Sequence, residues 1–204
     1  MILYGRDLSP FARRIAVMCA LQGRALERNE ILVTGADFER VKEMNPVGRV
    51  PVLELDDGTR LVESYAMGDW LDETSPNGVR FLPQSGPARR DAWQRLAVGS
   101  GTAEKAVGLV YERNRRPEEY HWMEWQQRLV AQIKGGLASM DASAPTQGWS
   151  GETGPDAGDI AAVIAFQFIE ITNPWVLDQE YPGLKALAAR AMELPAFADT
   201  LPSM

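Results

Sequence analysis

A serine at the start of a predicted helix is the first feature that could support chemistry. Residues 9–14 read SPFARR and follow a short apolar run. Serine followed by proline is a typical helix beginning, and the free N–H groups of a helix N-terminus favour a negative charge. Ser9 is therefore either an ordinary helix cap or a hydroxyl that donates to an anion such as a thiolate.

A second candidate is the loop at residues 45–54, which reads NPVGRVPVLE. Pro51 opens a predicted strand, where proline removes one hydrogen bond of the ladder. If the Val50–Pro51 bond is cis, Val50 presents its backbone as an edge that an extended peptide can pair with. With a trans bond the segment is a plain loop.

Two further helix starts carry acidic residues, and the first of them also carries a serine. At Glu63-Ser64, the hydroxyl and the free amides can hold a carboxylate, and Glu63 can meet an ammonium group. Capping alone is the alternative. At 156–159, Asp156 and Asp159 have the spacing of a capping box, which we interpret as a folding signal.

Short strands and helices must position these residues. Strands are predicted at 2–4, 26–33, 52–55 and 59–62, with helices from 9, 37 and 64. Strands separated by helices imply a parallel pair and the hairpin adds an antiparallel pair, so we predict a small mixed sheet. Beyond it only helices are predicted, at 88–111, 117–140, 156–171 and 183–193. We therefore predict an α+β protein with a domain at 1–75, a linker at 76–86 and an all-helical domain at 87–204.

Composition excludes several function classes. The chain has 204 residues and a net charge of −7, which disfavours a nucleic-acid partner. One cysteine, Cys19, and one histidine, His121, leave no cysteine-rich metal site and no histidine pair. The most apolar segment, 160–171, is shorter than the about 20 residues that span a bilayer. With no signal peptide visible, we expect no membrane association and a cytoplasmic location.

Taken in order, these segments resemble the glutathione transferase superfamily. The resemblance rests on residues 9–13, 45–54, 63–64 and 156–159 and covers nearly the whole chain. The pattern Asn-Pro-x-Gly-x-Val-Pro-x-Leu is its most specific part. Ser-Pro-Phe resembles many bacterial members, and it is similar to the Cys-Pro-Phe of the omega class with Ser9 in place of the cysteine.

The resemblance implies a fold and a set of roles. The fold is a thioredoxin-like N-terminal domain with an all-helical C-terminal domain, in a homodimer. Ser9 would stabilise the glutathione thiolate. Val50 would pair its backbone with the cysteinyl part of glutathione, with Pro51 cis, and Glu63 and Ser64 would hold the γ-glutamyl end.

Some positions depart from the family pattern or leave a choice. No residue clearly matches the basic residue that often contacts the glycine end of glutathione in the family, so Arg49 or Lys42 is expected to do so. Tyr4 is an alternative to Ser9 for activating the thiol, but it lies inside the apolar run. Cys19 lies on the apolar face of the same helix as Ser9, and we interpret it as a core residue.

The predicted function is conjugation of glutathione, as co-substrate, to a small hydrophobic electrophile, a detoxification reaction that needs no metal. The electrophile is expected between the domains, with Phe11, Tyr111 and a tryptophan as candidate lining residues. The alternative is a non-catalytic member of the superfamily that serves as a binding or stress-response protein of the stringent-starvation type.

Overall fold

The computed structural model describes residues 1–202, which form two compact units. The first comprises Met1–Phe81 and the segment that begins at Leu194, and the second comprises Leu82–Glu193. Residues 203 and 204, the end of the predicted helical domain, lie outside the described residues. The predicted domain boundaries stay predictions.

The first unit is built on a mixed sheet. Its strands are β1 (Ile2–Tyr4), β2 (Glu27–Asn29), β3 (Val52–Glu54) and β4 (Arg60–Val62), in the spatial order β2-β1-β3-β4. β1 is parallel to β2 and antiparallel to β3, and β3 is antiparallel to β4. The predicted mixed sheet is confirmed. β2 is shorter than predicted because it is an edge strand whose ladder ends where its short partner β1 ends.

Helices α1 (Pro10–Leu21), α2 (Ala36–Met44) and α3 (Ser64–Glu73) belong to the same unit. Ser9 caps α1, and Gly23 follows the helix end with a φ of 64°, a left-handed conformation that favours glycine. The predicted start and stop of α1 are therefore confirmed. Met67 and Leu71 of α3 are fully buried, and their spacing of four residues places them on one face of the helix.

A short helix near the end of the chain, α8 (Pro195–Ala198), also packs in the first unit, against α1. The buried Arg13 fastens it, since Nη2 donates to the carbonyl of Phe197 at 3.2 Å and Nε donates to Oγ1 of Thr200 at 3.4 Å. Burial, with the nearby charge of Arg28, lowers the pKa of Arg13 to about 10. No pattern in the sequence had indicated α8.

Cys19 is a core residue, as expected. Its side chain is fully buried on α1, and burial raises the pKa of the thiol to about 12. The thiolate is the reactive form of cysteine. Cys19 is therefore not a nucleophile in the folded protein.

The regular elements of the second unit are all helices in the part of the chain that the structure describes. It contains α4 (Gly86–Asn114), α5 (Met123–Ser143), α6 (Ala157–Thr172) and α7 (Pro182–Ala191), with 3-10 turns at Glu118–Tyr120 and Pro174–Val176. α4 packs against both α5 and α6. The α+β fold class is confirmed. Within residues 1–202, none of the helices combines the length and the apolar character that crossing a membrane requires.

The start of α5 differs from its prediction. A helix was predicted from residue 117, but it begins at Met123, and His121 and Trp122 have extended backbone. The buried carboxylate of Glu112 accepts the N–H of Trp122 at 3.3 Å. That amide is bonded to a side chain of α4, so it makes no helical hydrogen bond.

The capping box before α6 is confirmed. The N–H of Asp159 donates to Oδ1 of Asp156 at 2.9 Å, and the N–H of Asp156 donates to Oδ2 of Asp159 at 3.3 Å. Asp159 also accepts the backbone N–H and the hydroxyl of Ser150, both at 2.7 Å. Both aspartates are buried, and Asp159 holds the loop before α6 as well as the helix start.

Candidate functional site

Three segments meet at one edge of the sheet in the first unit. The register pairs Tyr4 with Val52, and Val52 with Val62. The carboxyl end of β1, the amino end of β3 and the carboxyl end of β4 therefore lie side by side. The segments that continue from these ends carry the candidate residues Ser9, Val50, Pro51, Glu63 and Ser64.

Gly5 allows two of these segments to approach closely. A Cβ atom on Gly5 would stand 2.9 Å from Cβ of Ala12, 3.7 Å from Cβ of Val50 and 3.8 Å from Cα of Pro51. The first turn of α1 and the loop before β3 thus contact the end of β1 at the same point. The structure brings the Ser9 turn and the Val50–Pro51 loop together as neighbours.

Ser9 is the half-buried N-cap of α1. Its Oγ accepts the backbone N–H of Ala12 at 3.4 Å, which is a long capping bond. A hydroxyl oxygen that accepts a hydrogen bond keeps its own hydrogen for donation. Capping and donation to an anion at the helix N-terminus are therefore compatible in one side chain.

The Val50–Pro51 peptide bond is cis, as predicted. The loop before it is fixed by the buried Asn45, whose Nδ2 donates to the carbonyl of Arg49 at 2.8 Å and whose Oδ1 accepts the N–H of Val47 at 3.0 Å. Asn45 was part of the sequence motif, but no role was assigned to it. Its two hydrogen bonds set the backbone that leads to Val50.

Glu63 and Ser64 form the third segment, at the start of α3. Glu63 has a φ of 70°, and within residues 1–202 it is the only non-glycine residue with a positive φ. Such a conformation costs on the order of 1–3 kcal/mol and tends to occur at functional sites. Ser64 is buried, while Glu63 is exposed.

A buried arginine that sequence reasoning missed completes this segment. Nη2 of Arg14 donates to Oγ of Ser64 at 2.5 Å, and the Ser64 hydroxyl in turn donates to Oε1 of Glu63 at 3.3 Å. The guanidinium also lies over the ring of Tyr65, 4.9 Å from its centroid. Burial lowers the pKa of Arg14, and Tyr65 and the carboxylate of Glu63 oppose that effect. The motif SPFARR contains two adjacent arginines, and nothing in it singled out Arg14.

Arg49 and Lys42, the two basic residues expected at the glycine end of glutathione, differ in their surroundings. Nζ of Lys42 pairs with the carboxylate of Glu39 at 2.8 Å and lies over the ring of Phe38. Arg49 is exposed and belongs to the loop before the cis bond. Tyr4, the alternative to Ser9, is buried in the small core cluster with Ile31, Val41, Met44 and Val52.

The structure leaves the electrophile pocket as a prediction. Phe11 is half-buried on α1 of the first unit. Tyr111 is 44% exposed on α4 of the second unit, with Arg115 over its ring. Among residues 1–202, no group of three or more histidine, cysteine, aspartate and glutamate side chains is placed to hold a metal ion.

Comparisons with known proteins find a matching family model and similar sequences. Residues 3–79 match the sequence model of the family described as Glutathione S-transferase, N-terminal domain. A maleylacetoacetate isomerase of Pseudomonas aeruginosa is 28% identical over 211 residues, which cover 100% of this chain and 96% of that protein.

Solved structures extend the similarity to the whole fold. A glutathione S-transferase of Methylobacillus flagellatus with GSH bound is 29% identical with a TM-score of 0.89, and 99% of each chain is covered. A glutathione S-transferase of Methylobacterium radiotolerans in complex with glutathione sulfonate is 26% identical with a TM-score of 0.89, covering 100% of this chain and 95% of that one. The fold of the first unit is accordingly thioredoxin-like, as expected.

Proposed function

We propose that this chain, which belongs to the glutathione transferase superfamily, binds glutathione in its first unit and activates the thiol for attack on a carbon electrophile. One observation carries the proposal. The Ser9 turn, the cis Val50–Pro51 bond and Glu63-Ser64 lie at the same edge of the sheet. They offer a helix N-terminus, the backbone before the cis bond and an acid–hydroxyl pair, which together suit one extended tripeptide.

Each part of glutathione has a matching group at this edge. The N-terminus of α3 and the hydroxyl of Ser64 suit the γ-glutamyl carboxylate, and the exposed Glu63 suits the ammonium group. The backbone of Val50 suits the cysteinyl amide. For the glycine carboxylate we favour Arg49, since Lys42 is already paired with Glu39.

Ser9 is the proposed activating group. A thiol of pKa about 8.5 is mostly protonated at neutral pH, and the thiolate is the nucleophile. A hydrogen bond from Ser9 and the N-terminal end of α1 both stabilise the anion, so they lower that pKa. Tyr4 lies in the apolar core cluster, which supports Ser9 over Tyr4 in this role.

The titration of the bound thiol tests this role. Ser9→Ala should leave glutathione affinity within a few-fold and raise the pKa of the bound thiol by about 1–2, because a hydrogen bond to a charged group is worth roughly 1.5–3 kcal/mol. The thiolate is followed by its ultraviolet absorbance against pH. If the titrations of wild type and variant coincide, Ser9 does not stabilise the thiolate and is only a helix cap.

We propose conjugation to a small hydrophobic electrophile as the reaction, and the similarity to a maleylacetoacetate isomerase over the whole chain favours a second candidate. Both begin with the same step, in which the thiolate adds to an activated carbon. In conjugation the thioether is the product. In isomerisation across a conjugated double bond, the adduct rotates and then expels the thiolate, so glutathione is regenerated.

The consumption of thiol separates the candidates. A generic aromatic electrophile and a cis-butenedioyl compound are each incubated with glutathione and the protein. Loss of thiol with formation of a thioether identifies a transferase, whereas a cis-to-trans change at constant thiol identifies an isomerase. Binding of glutathione without either reaction would favour the non-catalytic binding protein.

Family membership also leads us to propose a homodimer with a cytoplasmic location. Met67 on α3 is fully buried in the single chain, so its side chain is not available to a dimer interface. Light scattering at micromolar concentration measures the mass directly. A mass equal to one chain would contradict the proposal.

A further inference from the structure

The proposed function assigns no role to the buried guanidinium of Arg14. It lies on α1, one turn after the Ser9 cap, and it reaches the start of α3, where Nη2 is 2.5 Å from Oγ of Ser64. A buried charge is costly unless partners compensate for it. Its position next to a ligand-binding candidate therefore requires an explanation beyond packing.

Hydrogen-bond counting fixes the direction of the Ser64 hydroxyl. Arginine has donors only, so Oγ of Ser64 must accept from Arg14, and the single hydroxyl hydrogen must point to another acceptor. In this structure that acceptor is Oε1 of Glu63, at the long distance of 3.3 Å. A long bond to an exposed carboxylate is readily exchanged for a shorter bond to an incoming one.

We propose that Arg14 is a positioning residue that holds Ser64 as a donor toward the γ-glutamyl α-carboxylate of glutathione. This inference rests on the proposed function. Arg14 contributes a hydrogen bond and a positive charge. It occupies a lone pair of Oγ, which leaves the hydroxyl hydrogen for a carboxylate acceptor, and its positive charge favours the anion that the hydroxyl binds.

The neighbouring arginine provides a matched contrast. Arg13 is as deeply buried as Arg14 on the same helix, with exposed fractions of 3% and 4%. The hydrogen bonds of Arg13 go to Phe197 and Thr200, not to Ser64. Equal burial with different partners allows the effect of losing a buried arginine to be separated from the effect of losing the Ser64 contact.

The test compares two ligands that differ by one group. Glutathione carries the α-carboxylate, and γ-aminobutyryl-cysteinylglycine lacks it while keeping the amine. Kd values are measured by calorimetry for wild type, Arg14→Met, Arg13→Met, Ser64→Ala and the double variant Arg14→Met/Ser64→Ala. Methionine is chosen because replacing a buried ion by an apolar residue of similar length is often tolerated.

Arg14→Met should weaken glutathione binding about tenfold, since hydrogen bonds that involve charged groups carry effects of that size. Binding of the analogue should be unchanged, because the group that Ser64 receives is missing. In the Ser64→Ala background, Arg14→Met should have little further effect, since the hydroxyl that it positions is gone. Arg13→Met should lower the melting temperature without changing the ratio of the two Kd values.

Two outcomes overturn the inference, and they are distinguishable. If Arg14→Met weakens both ligands equally, or weakens neither, Arg14 does not position Ser64 for the carboxylate, while the proposed function stands. If wild type binds no glutathione, the proposed function fails and the inference fails with it.

Discussion

Gly5 lies against Ala12 so closely that a methyl group on Gly5 would stand 2.9 Å from Cβ of Ala12. Gly5→Ala should therefore destabilise the protein by about 1–3 kcal/mol, the usual effect of overpacking. It should also weaken glutathione binding, because the clash pushes apart the Ser9 turn and the Val50–Pro51 loop. Chemical denaturation and calorimetry measure the two effects.

A compensating substitution provides the control. Ala12→Gly removes the methyl group that Gly5→Ala would meet, at an expected loss of about 1 kcal/mol for glycine in a helix. The double variant should be more stable than the sum of the two single effects allows. If the two single effects on the free energy of unfolding simply add, the close approach of Gly5 and Ala12 does not limit the stability of the protein.

Glu63 should respond differently to alanine and to glycine. Both substitutions remove the carboxylate, so both should weaken the binding of glutathione but not of an analogue without the ammonium group. Alanine keeps the strain of the positive φ, whereas glycine adopts it readily. Glu63→Gly should therefore unfold with a free energy about 1 kcal/mol higher than Glu63→Ala. Equal stabilities would show that the backbone relaxes in the variants.

Asp159→Ala should destabilise the fold and leave glutathione affinity unchanged in the folded protein. The substitution removes the acceptor for the N–H groups of Ser150 and Asp156. We expect a loss of about 2–4 kcal/mol, from a lost cap and a buried amide without a partner. Thermal melting by circular dichroism measures the loss. An unchanged melting temperature would contradict the capping role, and a changed Kd would contradict its separation from the site.

The ionisation of Asp159 adds a pH dependence of known sign. Burial, with the nearby charge of Asp156, raises the pKa of the Asp159 carboxyl above its usual range. The folded protein then keeps this proton to a higher pH than the unfolded chain does. The contribution of Asp159 to the free energy of unfolding therefore falls as pH rises from about 4 through the raised pKa. The free energy of unfolding of wild type minus that of Asp159→Asn should be larger near pH 4 than near pH 7. An increase of this value with pH would contradict the expected sign.

Cys19 should resist alkylation in the folded protein. Burial raises the pKa of its thiol to about 12, so at neutral pH almost no thiolate is present. Iodoacetamide should label wild type only after unfolding, as mass spectrometry would show. Ser9→Cys places a second thiol at a helix N-terminus, which lowers a thiol pKa, and that residue should be labelled quickly at neutral pH. Rapid labelling of Cys19 in the native wild type would contradict its assignment to the core.

Features that depend on neighbours in sequence were predictable, and features that depend on distant neighbours were not. The cap at Ser9 and the box at Asp156–Asp159 follow from hydrogen bonds between residues three apart. The contact from Arg14 to Ser64 joins residues 50 apart, and no local pattern indicates which of two adjacent arginines reaches α3. The break before α5 depends in the same way on Glu112, which lies in the preceding helix.

The last described residues of the chain belong to the same unit as the first ones, fastened by Arg13 to the carbonyl of Phe197. The helical unit, Leu82–Glu193, separates the two parts of this unit in the sequence, so a ribosome makes them at different times. While the chain emerges, the sheet and α1 can form early, but the contacts between α1 and α8 must wait until the helical unit has been translated. A nascent chain truncated before Leu194 should accordingly be more sensitive to proteases in its N-terminal part than the finished protein.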